Sequence, residues 1–473
     1  CSEDCQRGRR LMISMSLEQI ALAVSGVIYK GKPETLVSGV CDTDSRKIQP
    51  GGIFFAKLGE SEDGHKYLVD AALSGAALAI VSTPKEDLDT DQIVVADTVA
   101  ALSKLAEAVL ERVRAGGQLQ VIGITGSNGK TSTKNMLGAI LSPKAKTVVP
   151  IASYNNEVGL PLTVLRIEED TKFLVLELGA AGVGSIAKLA SWTKPDIGVQ
   201  LKVGMAHAGE FGGIEVTEKI KAEMMPFIQN TAILNFDDAR VRGFEFSGNR
   251  VGFGFSEDAQ VRIISTQLTL EGTKVSISIA GGDPIAVQLK ILGEHHAMNF
   301  AAALATAMEL GVTPQESAEA VSKLDAPERW RMQLIQSPDG FSVINDAYNA
   351  SPDSMRSALQ SLAVLGRQGN RTVAVLGYMA ELGEFSAMEH DAIGRLVVRL
   401  NIDQLFVIGE EAKLIHMGAM QEGSWDGESQ FIESISTAFE TIREKLLPGD
   451  VVLVKSSNVS GLRFLGDDLA GVK

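Results

Sequence analysis

Cysteine is scarce: the chain of 473 residues has three, Cys1, Cys5 and Cys41. An odd count with two in the first five residues makes neither a disulfide framework nor a zinc-finger spacing, so a reducing, cytoplasmic setting is expected. Long apolar runs are missing as well; none reaches the roughly 18 residues that cross a bilayer, so no transmembrane segment is expected. The opening residues CSEDCQRGRR carry charge with no apolar stretch behind them, unlike a secretory signal. Residues 1–11 are expected to form a disordered extension, with patterned sequence beginning at Met12 or Met15.

Surplus positive charge is also absent. Lys and Arg number 44 against 59 Asp and Glu, a net charge of −15. Non-specific nucleic-acid binding rests on Lys and Arg meeting phosphates, so no nucleic-acid partner is expected and any phosphate site must be local. There is no G-x-S-x-G elbow, no Ser–His–Asp order and no cysteine nucleophile in a credible setting. Internal repeats and low-complexity tracts are missing too.

What remains is an ordinary folded composition, 45% apolar and 22% charged, and a length that suggests about three domains. The 47 glycines tend to follow apolar runs, the punctuation of strand–turn–helix units. The first unit opens on a helical pattern (Leu17, Ile20, Ala21, Val24). It continues through strand-like pieces at 51–56 and 78–81 and closes on a helix face of Leu102, Leu105, Val109 and Val113. Ala115-Gly116-Gly117 makes the linker. Apolar runs at 119–125, 173–178, 196–201 and 231–235 alternate with helical stretches, the rhythm of a doubly wound parallel sheet. From about 250 to 290 short alternating stretches suggest an antiparallel flap, and a helix follows near 296–310. From 341 the βα rhythm resumes, with Ser351-Pro352 a helix start of N-cap Ser and Pro in the first turn.

TGSNGKT, Thr125 to Thr131, follows a strand and precedes a helical stretch, the setting a phosphate-binding loop requires. Gly126 and Gly129 let the backbone approach an anion, and Ser127, Asn128 and Ser132 complete the loop and the helix start. Lys130 would reach the β- and γ-phosphates and the Thr131 hydroxyl would ligate Mg²⁺. Gly126 precedes Gly129 by three positions rather than the usual five, and the plain alternative is a Gly-rich turn without nucleotide. Glu177 ends the run FLVLEL, where α/β sheets place ligands; it completes a Mg²⁺ shell or caps a strand. His207 lies in the Gly-rich stretch 203–213, where a lone His is usually structural. Lys219, Lys221 and Glu223 share a helix whose default reading is a solvated charged face. His295, His296 and Asn299 open an Ala-rich helix, as ligand groups or as caps. The segment 345–355 sits at a strand end and reads as a turn with an N-cap or as a site.

Taken in order, these segments resemble the Mur ligases, a family of ATP-dependent amide ligases, from about residue 16 onward. The resemblance is carried by TDSR (43–46), GGIFFA (51–56), DGH (63–65), TGSNGKT, YNNEVGLPL (154–162), ELG (177–179), GMAHAGEFG, GEHHAMN (293–299), RWRM (329–332), NDAYNASPDSM (345–355), AELGE (380–384) and EH (389–390). YNNEVGLP and NDAYNASPDSM are similar to the branch that adds a dipeptide, and no DNPR-type segment is present. The resemblance implies an α/β fold in three domains: a UDP-sugar-binding domain at 12–116, a central P-loop ATPase-like doubly wound sheet at 117–328 and a Rossmann-like domain at 329–473. It implies that ATP and Mg²⁺ activate UDP-N-acetylmuramoyl-tripeptide as an acyl phosphate for attack by D-alanyl-D-alanine, in peptidoglycan synthesis, by a monomer.

By the same resemblance, Lys130 and Thr131 are the phosphate-loop Lys and the metal-binding hydroxyl, and Glu177 is a Mg²⁺ ligand. His207 and Lys221 stand at a second metal, Lys221 as a carbamylated lysine, with Lys219 two residues away. Asn299 contacts adenine, Asp346 contacts ribose, and Arg331 reaches the γ-phosphate across a domain interface. Ser45 and Arg46 hold the uridine nucleotide, and Asn155, Asn156 and Asn349 lie on the substrate side. Domain closure is expected to assemble these groups. Three positions depart from the family pattern: Tyr378 in place of an acidic residue, KSSN (455–458) in place of KGSR, and TST in place of TTT after Lys130.

Overall fold

The computed structural model describes residues 12–59, 62–205, 208–324, 329–423 and 428–472. The expected extension at 1–11 and His207 lie outside the described residues. Three main sheets follow one another along the chain, each flanked by helices, as the α/β reading requires.

The first sheet has five strands in the order Val27–Lys30, Asp91–Val94, Leu78–Val81, Ile53–Phe55 and Cys41–Asp42. All are parallel except Val27–Lys30. The helix Thr98–Arg114 covers it, with Leu102, Leu105, Val109 and Val113 buried as their spacing predicts. The same helix packs on the helix Gly159–Val164, so one apolar cluster runs from the first sheet into the second across residues 115–117.

The central sheet has nine strands. Gln120–Thr125 lies between Phe173–Glu177 and Ile197–Gln200, with Thr147–Val148 beyond the first and Thr231–Asn235 beyond the second. Chain order reverses around Gln120–Thr125, so a crevice opens at its carboxyl end. Burial on both faces explains the unbroken apolar runs. Ile122, Ile124, Phe173 and Val175 meet the helices Lys130–Leu141 and Glu294–Glu309, while Val121, Leu174 and Leu176 join the opposite cluster. Alanines at 297, 301, 302, 303 and 305 keep the second of those helices slim enough to lie close against the first.

The alternating stretches of 250–290 do not form a separate flap. Asn249–Gly254 and Val261–Thr269 continue the central sheet in parallel, and Gly272–Ile279 and Ile285–Leu289 finish it antiparallel. Alternation reports one solvated face, which an edge shares with an isolated hairpin.

The third sheet runs Gln333–Gln336, Ser342–Asn345, Val451–Lys455, Thr372–Leu376, Gln404–Ile408, Ser429–Ile432, parallel after the first strand. Ser351 caps the helix Pro352–Gly366 as expected, accepting from the Ser354 amide in a capping box. Among the described residues, no helix is long and apolar enough to cross a membrane.

Candidate active site

A cavity of about 1090 Å³ opens at the carboxyl ends of the central strands and is closed on its far side by residues of the third sheet. Its floor is the loop that leaves strand Gln120–Thr125. Gly126 has φ +150° and Gly129 φ +88°, and a Cβ on Gly129 would stand 2.3 Å from Asn299 Oδ1. Only glycine adopts that backbone freely and admits that contact. The loop is anchored from below: Ser127 N donates to Lys202 O (2.8 Å) and Gly204 N donates to Ser127 Oγ (2.9 Å). Gly129 then caps the helix Lys130–Leu141, whose free amides face the cavity.

Cations converge on one carboxylate. Glu177 is fully buried, Oε2 accepts from Thr131 Oγ1 (3.2 Å), and Oε1 has no hydrogen-bond partner, with Lys134 Nζ 3.9 Å away. Burial raises its pKa; Lys134, Lys130 and Arg331 pull it down. This placement rules out the surface reading of Glu177: its carboxylate is buried and lines the cavity. Lys134, almost wholly buried, also donates to Pro150 O and Ala152 O, 3.2 Å each. Lys130 Nζ lies back on the loop, 2.6 Å from Gly126 O, and burial lowers its pKa, with Arg331 acting the same way and Glu177 against.

Sequence reasoning passed over Lys134 and the loop it supports. Ala152 is held at φ +51°, and Ser153 then stands between Thr131 Oγ1 (3.4 Å) and Arg331 Nη2 (3.2 Å). Tyr154 accepts a hydrogen bond at its hydroxyl from Lys47 Nζ (2.9 Å), which joins this loop to the turn that carries Ser45 and Arg46. Asn155 lines the cavity, whereas Asn156 is exposed and accepts from the Gly159 amide (2.9 Å) at the start of the next helix. Ser45 is buried, and Arg46 projects to solvent with its guanidinium on Asp44 (2.9 and 2.8 Å). These residues stand beside the cavity rather than in it.

Arg331 arrives from the third sheet on a strained turn. Trp330 has φ +66° and Met332 φ +49°, and non-glycine residues in such conformations cost roughly 1–3 kcal/mol each. The Arg331 guanidinium stacks 4.2 Å from the Tyr348 ring. Asp346 supports the same turn: Oδ1 accepts from Met332 N (2.9 Å), while Oδ2 accepts from the buried Lys455 Nζ (2.6 Å). Asn349 lines the cavity and its carbonyl accepts from Lys455 Nζ (3.1 Å). Three further contacts tie the halves together. Asp353 accepts from Lys202 Nζ (3.2 Å) and Met205 N (2.9 Å), and Ser351 Oγ lies 3.5 Å from Asn128 Oδ1.

Lys221 corrects the solvated-face reading of its helix. It is 3% exposed on the inner side with Thr217 and Ile220, whereas Lys219 is exposed. Burial lowers its pKa well below the ordinary lysine value, with the charge of Lys130 adding to this and Glu223 opposing it. His207, its expected companion, is outside the described residues. Among the described residues no three His, Cys, Asp or Glu groups gather to hold a metal. Glu177 and Thr131 do fit Mg²⁺: one carboxylate with an unsatisfied oxygen and one hydroxyl, the remaining positions being left to water and phosphate.

Asn299 lies against Gly129 and 3.4 Å from His296 Nδ1. His295 and His296 also line the cavity, and burial lowers both pKa values, that of His295 to about 4. Both are neutral rings at neutral pH. The pair Glu389-His390 is structural: Glu389 accepts from Arg356 (2.5 Å), and His390 Nε2 accepts from Met379 N (3.0 Å) beneath a stacked Tyr378.

Residues 124–307 match the Mur ligase middle domain, and residues 330–458 match the Mur ligase glutamate ligase domain. A UDP-N-acetylmuramoyl-tripeptide--D-alanyl-D-alanine ligase of Mycobacterium bovis is 39% identical, over 97% of this chain and 98% of that protein. Its namesake in Bacillus subtilis is 32% identical over 97% and 99%. A crystal structure of MurF from Acinetobacter baumannii superposes with a TM-score of 0.86 at 31% identity, covering 97% of this chain and 99% of that one. MurF ligase from Thermotoga maritima, solved in complex with ADP, gives 0.77 at 27% identity over 91% and 97%.

The packing of Gly129 against Asn299 yields a first prediction. Gly129→Ala weakens ADP binding at least about tenfold, because a left-handed Ala alone costs roughly 1–2 kcal/mol before it displaces Asn299. Titration calorimetry with ADP reads this directly; unchanged affinity would show that the loop does not cradle the nucleotide.

Proposed function

The chain belongs to the Mur ligase family, and we propose that it joins D-alanyl-D-alanine to UDP-N-acetylmuramoyl-tripeptide, giving the UDP-pentapeptide, ADP and phosphate in peptidoglycan synthesis. The observation that carries this reading is the convergence of Lys130, Lys134 and Arg331 on the buried Glu177 and Thr131, at the mouth of a glycine-gated loop. The likeness to the ligases of that name over nearly the whole chain supports the choice of substrates.

A carboxylate is a poor electrophile, so its oxygen must first become a leaving group. The tripeptide carboxylate attacks the γ-phosphorus of ATP, a P–O bond to ADP breaks, and an acyl phosphate forms. The amine of D-alanyl-D-alanine then adds to the acyl carbon, loses a proton, and the tetrahedral intermediate expels phosphate. In the first step two anions meet, and the site supplies positive charge where negative charge accumulates. Lys130 exchanges its loop carbonyls for phosphate oxygens. Arg331 faces the same space from the third sheet, held flat by Tyr348. Glu177 and Thr131 would hold Mg²⁺, which when bound neutralises phosphate charge. Asn299 would take the base and Asp346 the ribose; both line the same cavity.

The units 12–116, 117–328 and 329–473 divide this work. The first takes the UDP-sugar through Ser45 and Arg46, and the contact between Lys47 and Tyr154 directs the peptide towards Asn155. The third supplies Arg331, Asp346 and Asn349. Lys221 is carbamylated: its neutral amine adds to CO₂, releases a proton and becomes an anion able to serve a second metal with His207. Burial supports this, since it disfavours the charged ammonium and so favours the free, nucleophilic amine.

A phosphate-release assay tests the activity: turnover needs ATP, the UDP-tripeptide and D-alanyl-D-alanine together. Release with a single amino acid in place of the dipeptide would assign a sibling ligase, and ATP turnover indifferent to the UDP-tripeptide would assign a nucleotide-dependent regulator. Lys221→Ala lowers turnover at least about a hundredfold, and small carboxylates added to the assay partly restore it. Wild-type rates in that variant would exclude the carbamate.

A further inference from the structure

One acidic side chain outside the cavity holds together two of the third-sheet segments that reach into it. Asp467 sits on the helix Leu462–Leu469 and is 4% exposed. Its Oδ2 accepts from Arg329 Nη2 and from Trp330 Nε1, each at 2.8 Å. Its Oδ1 accepts from Asn345 Nδ2 at 3.0 Å. Arg329 and Trp330 lead directly into Arg331, and Asn345 directly precedes Asp346. The helix reaches this position because Gly466 carries no side chain; a Cβ there would stand 2.6 Å from Asn345 Nδ2.

The turn that presents Arg331 does not hold itself. Trp330 and Met332 both lie in the left-handed region, on either side of the arginine. Residues of this kind keep such conformations only where their surroundings fix them. Several groups fix this turn: Tyr348 N donates to Trp330 O (3.1 Å), Trp330 N to Gln333 Oε1 (3.0 Å), and Met332 N to Asp346 Oδ1 (2.9 Å). The side-chain anchor is Asp467. It also pins the indole, which is packed edge-on by Phe464 and covered by the Arg463 and Arg329 guanidinium groups.

We propose that Asp467 is a positioning residue for the ligase reaction: by clamping Arg329, Trp330 and Asn345 it fixes the strained turn and so aims Arg331 across the domain interface at the phosphate loop. The inference rests on Arg331 acting in phosphoryl transfer, as set out above. Asp467 touches no reacting atom. Without it the turn relaxes, and the guanidinium loses its place between Tyr348 and Ser153.

The test uses the full-length enzyme with Asp467→Ala, Arg331→Ala, the pair together, and Trp330→Phe, which removes one donor and keeps the ring. Steady-state kinetics give kcat and each KM, and thermal melting gives the folded fraction. Asp467→Ala is expected to lower kcat per folded molecule at least about tenfold, as misplacement of a catalytic group does, with KM for D-alanyl-D-alanine unchanged. Trp330→Phe lowers kcat in the same direction by less. The double variant is no slower than Arg331→Ala. A lower melting temperature with unchanged kcat, or a double variant slowed by the product of the two single effects, overturns the positioning role. Wild-type kcat in Arg331→Ala instead overturns the reading of Arg331 on which the inference depends.

Discussion

Positive charge buried around one carboxylate is the constraint on which the rest of this structure depends. Lys130, Lys134 and Arg331 all act on Glu177, which is itself shut off from water. Taking ions out of water is costly, and such a cluster persists only where partners and packing hold it. Here two carbonyls hold Lys134, the loop backbone holds Lys130, and an aromatic ring with a serine holds Arg331. The cluster is poised rather than satisfied: one Glu177 oxygen lacks a hydrogen bond, and Lys130 rests on neutral backbone carbonyls rather than an anion. An incoming triphosphate with a bound metal would complete it. The arrangement suits a reaction in which the difficulty is the approach of one anion to another.

The fold delivers these charges from separate places. The reversal of strand order around Gln120–Thr125 opens the crevice, and the glycine loop lays its backbone along the floor. The loop around Ser153 and Tyr154 is the meeting point of all three sheets, since it contacts the phosphate-loop helix, a turn between two strands of the first sheet and the arginine from the third. The third sheet's unit meets the central one through polar groups at the site, Asp353 with Lys202, Ser351 with Asn128 and Arg331 with Ser153, and through Leu268 and Leu292, which pack into its apolar cluster.

Much of this was legible in the sequence because buried parallel strands leave unbroken apolar runs and because the phosphate loop needs its glycines in place. Ser351-Pro352 announced its helix for the same local reason. Glu177 had two readings, since only the tertiary fold decides whether a strand-end carboxylate points to water or to a cavity. The helix of Lys221 reads by default as a solvated charged face, although Thr217, Ile220, Lys221 and Met224 recur at spacings of three and four and so mark one inward face. Lys134 had a comparable signal, one helical turn beyond Lys130 on the same helix. The stretch 250–290 showed its strands but not the sheet they extend. Asp467 left no local trace: its partners Arg329 and Trp330 are 138 and 137 residues away.

Oxygen transfer tests the central claim most directly. UDP-tripeptide labelled with ¹⁸O in its terminal carboxylate is turned over with ATP and D-alanyl-D-alanine, and the phosphate is analysed by mass spectrometry. If the peptide acid is activated by phosphorylation, each phosphate released carries one labelled oxygen. Phosphate free of label, with amide formed at the normal rate, would contradict the account.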